Sequence, residues 1–163
     1  MLNVIVELEG VLQGTFNKDP IPEGVLLTGA LSAFNKITFI TNMSEDNADR
    51  WLNENKIVDF DLVLGDSVRL EGESLKERQL KYLRAKNPVG LFITSDPELW
   101  AFAFELGITS IMFGQPSYLD PGNRPNAPSR MRSWTMIEEQ VKKDNERRTQ
   151  KARQSRSEGV RFE

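Results

Sequence analysis

The chain has 163 residues, a net charge of −3, 39% apolar residues and 28% charged residues, a composition typical of one soluble globular domain. It contains no Cys and no His, which excludes disulfides, cysteine and Ser-His-Asp catalysis, and His/Cys zinc sites. Apolar runs fall far short of the ~20 residues that a membrane helix needs, and no secretory leader opens the sequence. We therefore expect a cytoplasmic protein with no membrane partner.

Apolar runs alternate with helical patterns along most of the chain. The predicted strands cover residues 2–6, 37–41, 60–65, 89–94 and 108–113. Between them, residues 25–34 predict a helix, Ser44 and Ser74 are typical N-caps, and Asp96-Pro97 is typical of a helix start. This alternation predicts parallel βαβ units with right-handed crossovers, that is, an α/β fold with a doubly wound, Rossmann-like five-stranded parallel sheet.

Charge is unevenly distributed. Residues 142–163 carry eight Lys or Arg against four Asp or Glu, whereas residues 1–141 carry 13 against 20. We predict an α/β domain over residues 1–141, including a Pro-rich segment at 114–130 that wraps the body, and a basic helical tail over 142–163.

Apolar periodicity ends at Val141, so the tail is expected to be an exposed helix, a disordered segment, or an arm ordered by a protein partner or by self-association. A tail that only aids solubility is the alternative. Four acids among the basic residues and a single aromatic residue, Phe162, argue against nucleic acid.

The first strand carries the candidate site. Glu7 and Glu9 follow its apolar run one residue apart, so their side chains can point the same way at the carboxyl end of the strand. Ligands bind at that end of open α/β sheets, where Thr41, Asp66 and Ser95-Asp96 should gather as well. Two converging carboxylates can hold a hard cation or transfer a proton.

The segment Val-Ile-Val-Glu-Leu-Glu-Gly-Val-Leu resembles the first motif of the haloacid dehalogenase (HAD) superfamily, an apolar strand followed by Asp-x-Asp-Gly-Thr/Val. The resemblance implies that Glu7 stands at the position of the phosphorylated nucleophile and Glu9 at that of the general acid/base. It also implies strand order five-four-one-two-three, with Glu7 at the centre of the sheet. The short distance to the second motif suggests a capless member.

Three further motifs extend the resemblance to about Gly114. Ile-Thr-Phe-Ile-Thr-Asn is similar to the second motif, whose Thr, here Thr41, hydrogen-bonds the phosphoryl group. Leu-Phe-Ile-Thr-Ser-Asp is similar to the fourth, which makes Asp96 a Mg²⁺ ligand together with Glu7 and Glu9. Lys76 best matches the lysine of the third motif, with Lys81 and Lys86 left open.

Departures from these motifs decide the functional expectation. Glu in place of Asp moves each carboxylate by about 1.5 Å, and misplacements near 1 Å can cost on the order of a hundredfold in rate. Trp100 stands where the fourth motif has a further acid. We therefore expect a degenerate site in a non-catalytic binding or scaffold module. A Mg²⁺-dependent phosphomonoesterase acting on a phosphate-bearing small molecule is the alternative. The Pro-rich segment and Trp-bearing helix loosely resemble those of phage-encoded HAD-like proteins.

Structural roles could also explain these residues. Asp96 could act only as a helix cap, and Lys76 could lie on a solvated helix face or neutralise Glu7 without chemistry. A second resemblance leads to a signalling alternative, because Phe-Asp-Leu-Val-Leu-Gly-Asp, ending at Asp66, is similar to the phosphoacceptor strand of receiver domains. There Glu7 and Glu9 would be the acidic metal pair, although Gln115-Pro116 stands where receivers have Lys-Pro.

Overall fold

A computed structural model describes residues 1–14, 18–68, 74–114 and 134–160, with the side chains of the last segment described for 138–154. The strands are β1 Asn3–Glu7, β2 Lys36–Ile40, β3 Leu62–Leu64, β4 Leu91–Thr94 and β5 Ser110–Met112. The helices are α1 Pro22–Ser32, α2 Glu45–Glu54, α3 Leu75–Lys86, α4 Pro97–Glu105 and α5 Trp134–Val160. Contacts divide the chain into two units, Met1–Phe113 and Gly114–Glu163.

The first unit is built on one parallel sheet with the strand order β3-β2-β1-β4-β5. Read from the other edge, this is the five-four-one-two-three order implied by the HAD resemblance, so the fold prediction is confirmed. It differs from the two-one-three-four-five order of the flavodoxin-like sheet. The strand order therefore favours the HAD-type interpretation over the receiver one.

Alternation along β1 divides the core between the two faces of the sheet. Val4 and Val6 pack with residues of α1 and α2, whereas Ile5 packs with residues of α3 and α4. Both faces are covered, which explains why β1 reads as an uninterrupted apolar run and not as an apolar/polar alternation. The connection from β3 through α3 to β4 changes face and places β4 beside β1. Ligands bind at such a switch point in open α/β sheets.

Local signals place the starts of α2 and α3 as predicted. The Ser44 side chain accepts a hydrogen bond from the Asn47 amide at the start of α2. Ser74 and Glu77 form the capping box that begins α3. The α1 helix begins at Pro22, three residues before the predicted start, because Pro at the first helical turn has the fixed φ that a helix requires.

The second unit is described for α5, whose 27 residues run through position 141 without interruption. Val141 is buried, and so is the polar Asp144. The proposed tail therefore continues a helix and is not exposed all round. The Pro-rich segment lies outside the described residues from position 115, and the domain boundary at 141 stays a prediction. No helix in the described part of the chain has both the length and the apolar character needed to cross a bilayer.

Candidate functional site

The two glutamates stand where β1 ends and the chain turns. The Leu8 amide still donates to the Ile40 carbonyl at 2.9 Å, so the backbone continues along β2 beyond Glu7. Gly10 then adopts a φ of 90°, a conformation that L side chains rarely adopt, and the chain folds back toward Gln13. This geometry leaves the Glu7 and Glu9 side chains on the same side of the sheet edge, as the alternation predicted.

Lys76 joins the two carboxylates. Its Nζ lies 2.8 Å from Glu7 Oε2 and 3.0 Å from Glu9 Oε2. All three residues are buried, with exposed fractions of 8% for Lys76, 2% for Glu7 and 5% for Glu9. Buried charges are costly unless they are paired, so the ammonium offsets the cost of placing two carboxylates in one crevice. Lys76, Glu7 and Glu9 are called the lysine–carboxylate cluster below.

The other oxygen of Glu7 is held by β4. Glu7 Oε1 accepts hydrogen bonds from the Thr94 hydroxyl at 3.1 Å and the Ser95 hydroxyl at 3.3 Å, and a longer one from the Ser95 amide at 3.4 Å. Thr94 is fully buried. The switch point between β1 and β4 therefore presents hydroxyl donors to Glu7, and both of its carboxylate oxygens are engaged within the protein.

The other oxygen of Glu9 is held by the end of β2. Glu9 Oε1 accepts from the Thr41 hydroxyl at 2.5 Å and from the Asn42 amide at 3.0 Å. Thr41 Oγ1 in turn accepts from the Met43 amide at 3.1 Å. Since a hydroxyl has one proton, Thr41 directs it to Glu9 and not into the open crevice.

Asp96 lies at the same edge and caps α4. Its Oδ1 accepts from the Glu98 amide at 3.0 Å, as an N-cap acid should. Burial, and after it the nearby Glu7 carboxylate, raise the pKa of Asp96 from 3.8 to about 6, while the hydrogen bond from the Glu98 amide and the charge of Lys76 oppose the shift. Capping is therefore confirmed as one role of Asp96. The ionised Asp96 carboxylate is therefore destabilised in the folded chain. Neither its hydrogen bond from the Glu98 amide nor the charge of Lys76 cancels this cost.

The structure distinguishes the three lysines of α3. Lys81 and Lys86 are exposed and lie over aromatic rings, at 5.6 Å from the Phe102 centroid and 4.5 Å from the Tyr82 centroid. Lys76 is the one that reaches Glu7, and it does not lie on a solvated helix face. The predicted crevice residue Asp66 is exposed, with its amide donating to the Met43 carbonyl at 3.1 Å.

Gln79 is a polar residue of this edge that the sequence analysis missed. It is fully buried, and its Nε2 lies 2.8 Å from Thr41 O, 3.0 Å from Leu64 O and 2.8 Å from Gly65 O. It thus ties α3 to the carboxyl ends of β2 and β3. Its position three residues after Lys76, on the same helix face, was the available signal.

Mg²⁺ fits this site by ligand type but not by arrangement. Carboxylate oxygens are the ligands that Mg²⁺ prefers, in a near-ideal octahedron. In the cluster, however, Lys76 Nζ contacts Oε2 of both Glu7 and Glu9, while their Oε1 atoms accept hydrogen bonds. Over the described residues, no group of three or more acids is placed to hold a metal ion. Glu7, Glu9 and Asp96 therefore share one edge of the sheet, and their role as Mg²⁺ ligands stays a prediction.

Comparisons with known proteins show the fold and no more. No protein-family model and no curated protein matches the chain. A solved chain of the Pnkp1/Rnl/Hen1 RNA repair complex superimposes with a TM-score of 0.57 at 13% identity, over 69% of this chain and 42% of that one. The core domain of a protein assigned as a phosphoglycolate phosphatase from Streptococcus pneumoniae TIGR4 superimposes with a TM-score of 0.51 at 20% identity, over 85% of this chain and 93% of that one. The chain therefore has a Rossmann-like, HAD-type α/β fold.

Proposed function

We propose that the chain is a HAD-like binding or scaffold module whose lysine–carboxylate cluster stabilises the crevice and does not transfer phosphoryl groups. The observation that carries this proposal is that all four carboxylate oxygens of Glu7 and Glu9 contact donors of the protein itself. A nucleophile needs an oxygen free to approach the reacting atom, and a general acid/base needs one that reaches the substrate. Each glutamate would have to share or exchange a protein partner before it could act in either way.

Thr41 supports the same proposal. The HAD resemblance would have its hydroxyl hydrogen-bond a phosphoryl group, whereas here the hydroxyl proton is directed to Glu9. Freeing it would leave Glu9 Oε1 with fewer partners in a crevice where Glu9 is 5% exposed. Losing a hydrogen bond to a buried charge costs about 1.5–3 kcal/mol, so a substrate must compensate this cost before it binds.

The test is hydrolysis of an aryl phosphate with Mg²⁺, comparing the wild type with Glu7→Gln and Glu7→Asp. The proposal predicts no turnover above background by the wild type or by Glu7→Gln. Turnover by Glu7→Asp alone would identify the site as a decayed phosphatase, in which shortening the side chain restores the geometry. Wild-type turnover that Glu7→Gln abolishes would contradict the proposal. Asp49→Asn, an exposed change on α2, serves as the matched control for handling and purity.

A Mg²⁺-dependent phosphomonoesterase acting on a phosphate-bearing small molecule is the second candidate. It is favoured by one specific observation: Lys76 reaches Glu7, as the lysine of the third motif should if Glu7 stands at the nucleophile position. In that case Glu7 would be the nucleophile and Glu9 the acid/base, with Thr41 and Lys76 on the phosphate. Glu7, Glu9 and Asp96 would hold Mg²⁺. These groups would have to rearrange first, and the same assay distinguishes the two candidates.

For the partner of this module, we propose a second copy or an acidic protein that docks on α5. Among the described side chains of this helix, three acidic and five basic ones are exposed. The acidic ones are Glu138, Glu139 and Glu146, and the basic ones are Lys142, Lys143, Arg147, Lys151 and Arg153. Residues 1–113, by contrast, carry 17 acidic and 10 basic residues. Attraction of this kind weakens as salt screens it. A cytoplasmic location and a phage origin stay predictions.

Point substitutions test docking better than truncation, because removing residues after 140 would also remove the buried Val141 and Asp144. The variant carries Lys143→Gln, Arg147→Gln and Lys151→Gln, three exposed positions spaced four residues apart on the helix. We expect it to keep the wild-type Tm and to lose the salt-sensitive association seen in sedimentation velocity at low ionic strength. Wild-type protein that sediments as the same monomer at low and high salt would contradict self-association.

A further inference from the structure

We infer that the Lys76 ammonium takes the place of a divalent cation in this crevice, so that the wild-type protein neither needs nor binds Mg²⁺ between Glu7 and Glu9. Lys76 Nζ is 2.8 Å from Glu7 Oε2 and 3.0 Å from Glu9 Oε2, which places a single positive charge between the two carboxylates. A metal ion bridging the same two oxygens would need that space.

Charge disfavours the presence of both cations between these two oxygens. Glu7 and Glu9 carry two negative charges, and Lys76 neutralises one of them within contact distance. A divalent ion placed beside the ammonium would meet it at short range in a crevice where all three residues are at most 8% exposed. Repulsion between like charges strengthens as the local dielectric falls, so the buried ammonium opposes a metal ion that would share the same two oxygens.

Helix geometry explains why the ammonium stays there. Lys76 is the second residue of α3, which the capping box formed by Ser74 and Glu77 begins. The helix dipole disfavours a cation at a helix N-terminus. The ion pairs of Lys76 with Glu7 and Glu9 offset this cost and hold the ammonium at the sheet edge. Gln79, three residues later, bonds to the carbonyls at the ends of β2 and β3 and fixes the helix against the sheet edge.

The experiment replaces the ammonium by an uncharged side chain and measures Tm in chelator and in millimolar Mg²⁺ or Mn²⁺. Wild-type Tm should be the same in both. Lys76→Met should have a lower Tm in chelator and regain about 5–10 °C at metal concentrations near a hundred times its Kd. Lys81→Met, an exposed change on the same helix, is the control. The double variant Lys76→Met with Glu9→Gln keeps the wild-type net charge of the cluster, and its Tm should not respond to metal.

A second measurement keeps the inference falsifiable if Lys76→Met does not fold. In the wild type, the Ser95 and Asn42 amides donate to Glu7 and Glu9 and report on the crevice. Their NMR signals should keep their width when Mn²⁺ is added, because no paramagnetic ion binds nearby. Selective broadening of these two signals, a wild-type Tm that rises with Mg²⁺, or a folded Lys76→Met that ignores metal would each overturn the inference.

The inference and the proposed function can fail separately. Mg²⁺ binding by the wild type without hydrolysis of an aryl phosphate would overturn the metal-substitution inference and leave the binding-module proposal standing. Hydrolysis that persists in chelator and is lost in Glu7→Gln would overturn the binding-module proposal and leave the metal-substitution inference standing.

Discussion

Asp96 offers the most direct test of the electrostatics of this crevice. We predict that Asp96→Asn stabilises the protein at pH 8 and has little effect at acid pH. Asn is as good an N-cap as Asp, so the hydrogen bond that begins α4 is kept. The substitution removes a carboxylate whose pKa is raised by burial and by the neighbouring Glu7.

The magnitude follows from the shift. The pKa of Asp96 rises from 3.8 to about 6, and each unit of pKa shift corresponds to about 1.36 kcal/mol. The shift therefore sets an upper limit of about 3 kcal/mol on the stability that the ionised carboxylate costs. Asp96 is only partly buried and solvent screens it, so we expect about 1–2 kcal/mol. Because the folded-state pKa is the higher one, the unfolded chain ionises first as pH rises. Wild-type stability therefore falls between about pH 4 and pH 6 and then levels off, and Asp96→Asn should lack this fall.

Urea denaturation of the wild type and Asp96→Asn, repeated across this pH range, measures the difference in unfolding free energy directly. Asp49→Asn, on the exposed face of α2, is the control and should stay within about 0.5 kcal/mol of the wild type at every pH. A gain that does not depend on pH would refute the electrostatic reasoning. A loss of stability at pH 8 would show that the Asp96 carboxylate has a stabilising partner there, such as a bound cation.

Four further substitutions test the packing in and around the site by thermal or urea unfolding. Gly24→Ala places a Cβ 1.7 Å from the Val11 carbonyl oxygen and should cost about 3 kcal/mol or more, whereas Gly29→Ala on the same helix meets nothing within 4 Å and should gain about 0.5–1 kcal/mol. Gln79→Leu should cost about 2–3 kcal/mol, because the carbonyls at the ends of β2 and β3 lose their donor. Ser74→Ala removes the capping box of α3 and should cost about 1 kcal/mol. Equal effects of the two glycine changes would contradict the close approach of α1 to the turn after β1.

Features that depend on a few neighbouring residues could be predicted from the sequence. Alternation along β1 predicted that Glu7 and Glu9 point the same way, and capping patterns predicted where α2, α3 and α4 begin. The alternation of strands and helices was sufficient for the parallel sheet, because βαβ connections have one hand. The HAD resemblance added the strand order, which sequence alternation alone leaves open.

Tertiary structure decided which partners the site residues have. Lys76 and Glu7 are 69 positions apart, and only the crossover through α3 selects Lys76 over Lys81 and Lys86. The direction of the Thr41 hydroxyl and the role of Gln79 likewise depend on atoms contributed by several elements. The sequence could place two carboxylates at the end of β1. Whether their charge is balanced by a metal or by an ammonium is set by distances that only the folded chain defines.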